Sequence, residues 1–103
     1  MPSETIDDKI VRYADKYGVS SKLMHHIISK ESGYDPNIVG DKTYVCQETG
    51  KIAPSRGLVQ INECYWPEEY KYATDPDFAI DFLAKQLSLG NCHFWSTCPR
   101  NGG

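Results

Sequence analysis

The chain has 103 residues, a formal net charge of −3 and four cysteines. This length predicts one domain over residues 1–103 with a modest hydrophobic core. The charges are scattered without a basic run, so we expect no nucleic-acid partner, and no apolar run has the length of a membrane span.

The cysteines Cys46, Cys64, Cys92 and Cys98 predict two disulfides and an oxidising compartment. A zinc site is the alternative, but its tightly spaced cysteine and histidine pairs do not occur here, so we expect neither metal nor cofactor. Of three possible pairings, the most economical joins Cys46 to Cys64 and Cys92 to Cys98. We therefore expect a secreted, periplasmic or cell-wall-associated protein, and we interpret residues 1–3 as a start from which a secretory leader is absent.

Two amphipathic helices are predicted at the start of the chain. Ser3 is a suitable N-cap for a helix over residues 4–17, which Gly18 ends. Ser20 or Ser21 caps a second helix over residues 21–32, which Gly33 ends. The apolar stripe of the first helix consists of Ile6, Ile10, Val11, Ala14 and Tyr17.

Glu31 lies on the apolar face of the second helix, because Met24, Ile27 and Ile28 precede it at helical spacing. Burial and the negative end of the helix dipole both disfavour its charged form, which predicts a raised pKa. A carboxylic acid that stays protonated can act as a general acid. The alternative is a solvated residue at the border of the helix. The adjacent His25 and His26 point in different directions and are interpreted as structural.

No helical pattern occurs between Tyr34 and Asn62. Residues 43–45 and Ile52, on either side of a turn at 48–51, predict a small β-hairpin that a Cys46–Cys64 bridge would hold. In the segment 55–62, Gly57 predicts a close approach of the backbone to another group. The amides of Gln60 and Asn62 either satisfy loop backbone or face a polar ligand such as a sugar.

The last third of the chain predicts a helical turn over residues 67–72 and a helix over residues 76–89, which begins at Asp75-Pro76 and ends at Gly90. Residues 92–98 form a short loop whose Trp95 is interpreted as a lid on the core. The inward residues predicted for the last helix are Phe78, Ala79, Phe82, Leu83, Gln86 and Leu87.

Residues 29–36 and 55–62 together resemble the lysozyme-like domain of soluble lytic transglycosylases. In that family a Glu-Ser pair ends a helix and a Gly-Leu-Met-Gln-Ile run follows, and the resemblance covers about residues 14–98. It implies a mainly α, lysozyme-like fold, with a cleft for glycan strands beside the small β-hairpin and the two disulfides. It also implies that a peptidoglycan glycan strand is the partner and that the chain, which we expect to be a monomer, cleaves it.

The resemblance implies that Glu31 is the catalytic acid, that Gln60 lines the cleft and that Ser32 is the serine following the acid. We predict Ser32, Tyr34, Gln60, Asn62 and Tyr65 as substrate-binding residues. Three features depart from the family pattern: Arg56 and Val59 replace a serine and a methionine, and the Ala-Tyr-Asn-Ala-Gly motif is absent. The tyrosine of that motif has Tyr65, Tyr34 or Trp95 as candidate replacements.

The chain also resembles goose-type lysozymes, which carry acids at two positions after the catalytic glutamate. Asp41 matches one and is a candidate second acid, whereas Asn62 matches the other and cannot serve as a base. Because a transglycosylase needs no second carboxylate, we expect cleavage between N-acetylmuramic acid and N-acetylglucosamine with Glu31 as acid and then base, which yields 1,6-anhydro ends. The alternatives are a muramidase-type hydrolase, a catalytically inactive peptidoglycan-binding module, and a disulfide scaffold that contacts no glycan.

Overall fold

The computed structural model describes residues 4–99, and its architecture is mainly α. Within these residues, helices and a short irregular region with a small antiparallel sheet enclose one hydrophobic core, which is compatible with the predicted lysozyme-like fold with two disulfides. The elements in chain order are α1 (Ile6–Tyr17), α2 (Ser21–Ser32), β1 (Val39–Gly40), β2 (Ser55–Arg56), β3 (Ile61–Asn62), α3 (Pro67–Tyr70), α4 (Pro76–Ser88) and a 3₁₀ turn (Cys92–Phe94).

The ends of the first two helices are fixed by local capping. Helix α1 begins at Ile6 because Thr5 is its N-cap: the Thr5 hydroxyl accepts from the Asp8 N–H, and the Asp8 carboxylate accepts from the Thr5 N–H. The predicted cap, Ser3, lies outside the described residues. Helix α2 has the predicted bounds and is capped by Ser20. Each helix ends at a glycine in the left-handed conformation, as predicted.

The core is formed by one face of α1, α2 and α4 together with the segment between β2 and β3. Val11 was predicted to be inward and is half exposed, because it lies about 100° round the helix from the buried Ile10. Ile80 and Ala84 are buried although the predicted inward set omitted them. Helix α4 is covered on more than one side, since Asp77 and Asp81 bond to α1 and Phe82 contacts two tryptophans. The largest fully buried side chains are Ile10, Met24, Ile27, Ile28, Leu58, Ile61, Ile80 and Leu83.

The sheet differs from the hairpin predicted over residues 43–52. The predicted hairpin is present in minimal form, as an antiparallel bridge between Val45 and Ile52, with backbone hydrogen bonds from the Cys46 N–H to the Lys51 carbonyl and from the Ala53 N–H to the Tyr44 carbonyl. The three two-residue strands lie elsewhere, in the antiparallel order β1-β2-β3. Val39 pairs with Arg56, and Ser55 pairs with Asn62. The composition of residues 43–45 therefore located the bridge, whereas the strands of the sheet are two residues long and too short to give an alternating sequence pattern.

The disulfides join Cys46 to Cys64 and Cys92 to Cys98, the local pairing favoured by the sequence. The first holds the bridge region 45–52 against the end of the sheet, and the second closes the loop after α4. No helix within residues 4–99 is long and apolar enough to span a membrane.

Candidate active site

A cleft of about 320 Å³ lies between the end of α2, the small sheet and the Cys92–Cys98 loop. Its walls combine carboxylates and amides with aromatic rings, which is the mixture expected of a site for a polar ligand with apolar faces. The lining residues are Glu31, Asp41, Tyr44, Ser55, Gln60, Ile61, Asn62, Tyr65, Trp66, Phe82, Phe94, Trp95 and Ser96.

Glu31 lies in the last turn of α2, two residues before the terminating Gly33. The helix is anchored by Met24, Ile27 and Ile28, which are fully buried, so the same face brings the Glu31 side chain to the edge of the core and into the wall of the cleft. The carboxyl is partly buried, and this loss of solvation is the main cause of its raised pKa. A hydrogen bond from Thr97 opposes the shift, and the charge of Asp41 adds to it.

Asp41 stands in the cleft as the last member of a chain of hydrogen bonds. The Asn62 amide donates to the Ser55 hydroxyl at 3.0 Å, and that hydroxyl donates to the Asp41 carboxylate at 2.7 Å. Asn62 also donates to the Ala53 carbonyl and accepts from the Cys64 N–H. The Asn62 side chain is therefore occupied in holding the sheet and its loops, and it acts on the cleft through Ser55.

Gln60 projects into the cleft from a left-handed backbone conformation, with φ of 53°. Its amide donates to the carbonyls of Ile38 at 3.2 Å and Gly57 at 2.9 Å, which leaves the side-chain oxygen to accept from another group. A side chain at Gly40 would overlap that oxygen, so the glycine makes room for Gln60. The side chains of Gln60 and Asn62 therefore do both things considered from the sequence: they form hydrogen bonds with backbone groups of the loops, and they line the cleft.

Aromatic rings flank the cleft on both sides. Tyr65 is 64% exposed and its hydroxyl contacts that of Tyr44. Phe94 is 48% exposed, whereas Trp95 is buried and its indole N–H donates to the Val59 carbonyl at 2.8 Å. Trp95 is thus the lid on the core that the sequence predicted, and it also forms part of the cleft wall.

Two predicted substrate-binding residues do not line the cleft. The Ser32 hydroxyl is buried and donates to the Ile28 carbonyl one turn earlier in α2. The Tyr34 hydroxyl bonds to His25, on a different surface of α2 beside Asp7. Substrate contact by these two side chains stays a prediction that the cleft lining does not support: the Ser32 hydroxyl is bonded within its own helix, and Tyr34 follows the helix end with a left-handed backbone (φ of 66°).

Arg56, which departs from the family pattern, also lies away from the cleft lining. Its guanidinium donates to the Tyr70 carbonyl through Nε at 3.1 Å and Nη2 at 2.9 Å, and it stacks over the Tyr70 ring. These contacts satisfy the carbonyl end of α3, so Arg56 ties the sheet to that helix. Its presence has a structural explanation and gives no reason to expect an inactive site.

The family model described as the transglycosylase SLT domain matches residues 8–91. The chain belongs to the SLT domain family. Family membership supports a lytic transglycosylase domain with peptidoglycan as its substrate class. No curated protein and no solved structure matches the chain.

The SLT domain has one contact at its carboxylate that sequence reasoning missed. The Thr97 hydroxyl donates to Glu31 Oε2 at 2.8 Å, across 66 positions of the chain. Tyr44, Ser55 and Phe94 also line the cleft without having been predicted. The signal available for Thr97 was its place inside a loop closed by cysteines next to Trp95, but nothing local related that loop to Glu31.

The acidic side chains of the cleft are too few to form a metal centre by themselves. In the part of the chain that the structure describes, no group of three or more histidine, cysteine, aspartate or glutamate side chains is placed to bind a metal ion. The groups in the cleft that can exchange a proton with a ligand are the carboxyls of Glu31 and Asp41 and the phenols of Tyr44 and Tyr65.

Proposed function

We propose that this SLT domain cleaves the β-1,4 bond between N-acetylmuramic acid and N-acetylglucosamine in peptidoglycan, as a lytic transglycosylase with Glu31 as its one acid and base. The observation that carries the proposal is the position of Glu31: a partly buried carboxyl with a raised pKa, in the wall of a cleft that also contains Gln60. A raised pKa increases the protonated fraction of the acid at any given pH, and general-acid catalysis requires the protonated form.

In the first step the Glu31 carboxyl gives its proton to the glycosidic oxygen while the bond from that oxygen to the muramic acid C1 breaks. The electron pair of the bond leaves with the oxygen, which becomes the 4-hydroxyl of the departing N-acetylglucosamine. In the second step the 6-hydroxyl of the muramic acid bonds to C1 and its proton passes to the Glu31 carboxylate. The product is a 1,6-anhydro ring, and the acid is restored without water.

The amide at position 62, where goose-type lysozymes carry an acid, agrees with this scheme. A hydrolase that inverts or retains configuration uses a second carboxylate to activate water or to bond to the sugar. Asn62 is an amide whose hydrogen-bonding groups are already used by Ala53, Ser55 and Cys64. The transglycosylase scheme needs neither a water-activating base nor a second carboxylate, so this replacement does not disable it.

We further propose Gln60 and Tyr65 as the residues that contact the glycan directly, with Asn62 acting through Ser55. The free amide oxygen of Gln60 suits the N–H and hydroxyl groups of an N-acetyl sugar. The exposed rings of Tyr65 and Phe94 suit the apolar faces of the sugar rings. The two disulfides support an extracytoplasmic location, where such bonds form and persist.

The test is the end group released from purified peptidoglycan, identified by mass spectrometry. We expect 1,6-anhydro ends from the wild type and a loss of at least about 100-fold in rate from Glu31→Gln, since general-acid catalysis typically contributes this much or more. Glu48→Gln is the matched control, because Glu48 is an exposed glutamate outside the cleft lining. Full activity of Glu31→Gln would refute the assignment of the acid.

The second candidate is a muramidase-type hydrolase, and the position of Asp41 in the cleft is the observation that favours it. Reducing ends in place of anhydro ends would establish the hydrolase and exclude the transglycosylase. Binding to insoluble peptidoglycan without clearing of cell walls would instead identify an inactive binding module. No binding and no clearing would leave a scaffold without glycan contact.

A further inference from the structure

The loop closed by the Cys92–Cys98 disulfide places a hydroxyl against the carboxyl in the cleft. Thr97 Oγ1 lies 2.8 Å from Glu31 Oε2, and the Thr97 side chain is partly buried. Among residues 4–99, no other side chain donates a hydrogen bond to Glu31. The orientation of this carboxyl is therefore determined by the helix that carries it and by one residue from the far end of the chain.

The position of Thr97 is well determined by the loop around it. The disulfide joins cysteines that are 6 positions apart, and the Cys98 N–H donates to the Trp95 carbonyl inside the loop. Trp95 anchors the loop to the segment between β2 and β3, because its ring is buried and its N–H bonds to the Val59 carbonyl. A short cross-linked loop loses little further freedom when it holds one side chain in place.

We propose that Thr97 is the positioning residue of Glu31 in this SLT domain, and that its hydroxyl determines which carboxyl oxygen carries the transferable proton. The proposal rests on the function proposed above. A hydroxyl that donates to Oε2 makes that oxygen the hydrogen-bond acceptor, so the proton of the neutral acid is held on Oε1. After the proton has left for the glycosidic oxygen, the same hydroxyl stabilises the carboxylate until the sugar's 6-hydroxyl returns a proton.

This assignment also explains how the site tolerates the absence of the Ala-Tyr-Asn-Ala-Gly motif. That absence left the tyrosine near the acid without a counterpart in the sequence, and the three candidates considered were Tyr65, Tyr34 and Trp95. None of them donates a hydrogen bond to Glu31 in the part of the chain that the structure describes, whereas Thr97 does. The hydroxyl that contacts the Glu31 carboxyl therefore comes from a threonine in the Cys92–Cys98 loop, and not from a tyrosine of the Ala-Tyr-Asn-Ala-Gly motif.

Several groups act together on the proton affinity of Glu31. Burial raises its pKa, the Thr97 hydrogen bond lowers it, and the charge of the Asp41 carboxylate, which also lines the cleft, raises it. The other titratable residues lining the cleft within residues 4–99 are the phenols Tyr44 and Tyr65. Asp41, which follows β1, is thus the other charged residue lining the described cleft, and Thr97 is the neutral group that opposes the effects of burial and of Asp41 on the pKa of Glu31.

The experiment compares Thr97→Val, which keeps the shape of the side chain, with Thr97→Ser, which keeps the hydroxyl. Each variant is assayed on purified peptidoglycan across pH, and the Glu31 carboxyl is titrated by ¹³C NMR. We expect Thr97→Val to lower kcat/KM roughly 10- to 100-fold, as small misplacements of catalytic groups do. We also expect it to raise the pKa of Glu31 and to move the basic limb of the pH profile to higher pH. Thr97→Ser should restore most of the rate and both pKa readouts.

The same assay separates this inference from the function on which it rests. If Glu31→Gln is inactive while Thr97→Val keeps the wild-type rate, profile and titration, Thr97 has no positioning role and the proposed function stands. If Glu31→Gln is fully active, the proposed function fails first. A fall in rate for Thr97→Val with an unchanged Glu31 titration and no rescue by serine would indicate a structural role only. Thr97→Ala replaces the valine variant if that variant does not fold.

Discussion

Gly57 lies where the backbone between β2 and β3 passes close to the loop before α4. Its φ is +88°, in the region that L-residues rarely adopt, and a β-carbon there would overlap the Ala73 carbonyl. The Gly57 N–H donates to the Ile38 carbonyl, and its own carbonyl accepts from Gln60. The close approach predicted from the sequence is therefore real, and it fixes the loop that presents Gln60.

Gly57→Ala carries two costs that the structure allows us to separate. The left-handed conformation costs an alanine about 1–2 kcal/mol relative to glycine. The overlap is with backbone atoms that cannot rotate away, so the two segments must move apart, and overpacking of this kind costs about 1–3 kcal/mol. Gly50→Ala is the matched control, because Gly50 has a φ of +71° but no neighbouring atom within 4 Å of the place that a β-carbon would take. Gly50→Ala should therefore be destabilised only by the left-handed backbone conformation.

Urea unfolding measures both variants. With a slope of about 2 kcal/mol per molar urea for a chain of this size, Gly57→Ala should lower the midpoint by about 1–2.5 M and Gly50→Ala by about 0.5–1 M. Gly57→Ala should also reduce activity, since Gln60 bonds to the displaced carbonyl. Equal midpoints for the two variants would refute the reasoning, because they would mean that the contact with Ala73 carries no energy.

Two further changes test the electrostatics and the loop. Asp41→Asn removes the charge that helps to raise the pKa of Glu31, so the basic limb of the kcat/KM profile should move to lower pH. The anhydro product should be retained. Loss of activity at every pH would instead point to a hydrolase that uses Asp41. Trp95→Phe leaves the buried Val59 carbonyl without its donor and should lower the free energy of unfolding, measured by thermal denaturation, by about 1–3 kcal/mol. Phe94→Leu, at a half-exposed ring of the same loop that donates no hydrogen bond, should lower it by less than Trp95→Phe does.

The parts of the fold set by local sequence were predictable. Helix α2 was placed to the residue, since Ser20 and Gly33 cap it and the period of its apolar residues is unambiguous. The same period put Glu31 at the edge of the core. The start of α1 was harder to predict, because Ser3 and Thr5 are both acceptable N-caps. Thr5 is the N-cap because it forms a capping box with Asp8.

The parts set by tertiary contacts were not predictable. The strands are two residues long and are held by hydrogen bonds such as those of Asn62, so no alternating pattern marks them. Ser32 and Tyr34 follow the acid in sequence, and the end of the helix turns both away from the cleft. Thr97 reaches Glu31 across 66 positions, and no local pattern carries that information.

Each of the two disulfides closes a different segment that lines the cleft. The acid itself needs no cross-link, because α2 is anchored by Met24, Ile27 and Ile28 in the core. Tyr44, Tyr65 and Thr97 lie on irregular segments, and a disulfide closes each of them: Cys46–Cys64 lies beside the Tyr44 and Tyr65 pair, and Cys92–Cys98 encloses Thr97. A chain of 103 residues has little core to spare for holding loops. The cross-links therefore lie on cleft segments that have no regular secondary structure to fix their backbone, beside the Glu31 carboxyl.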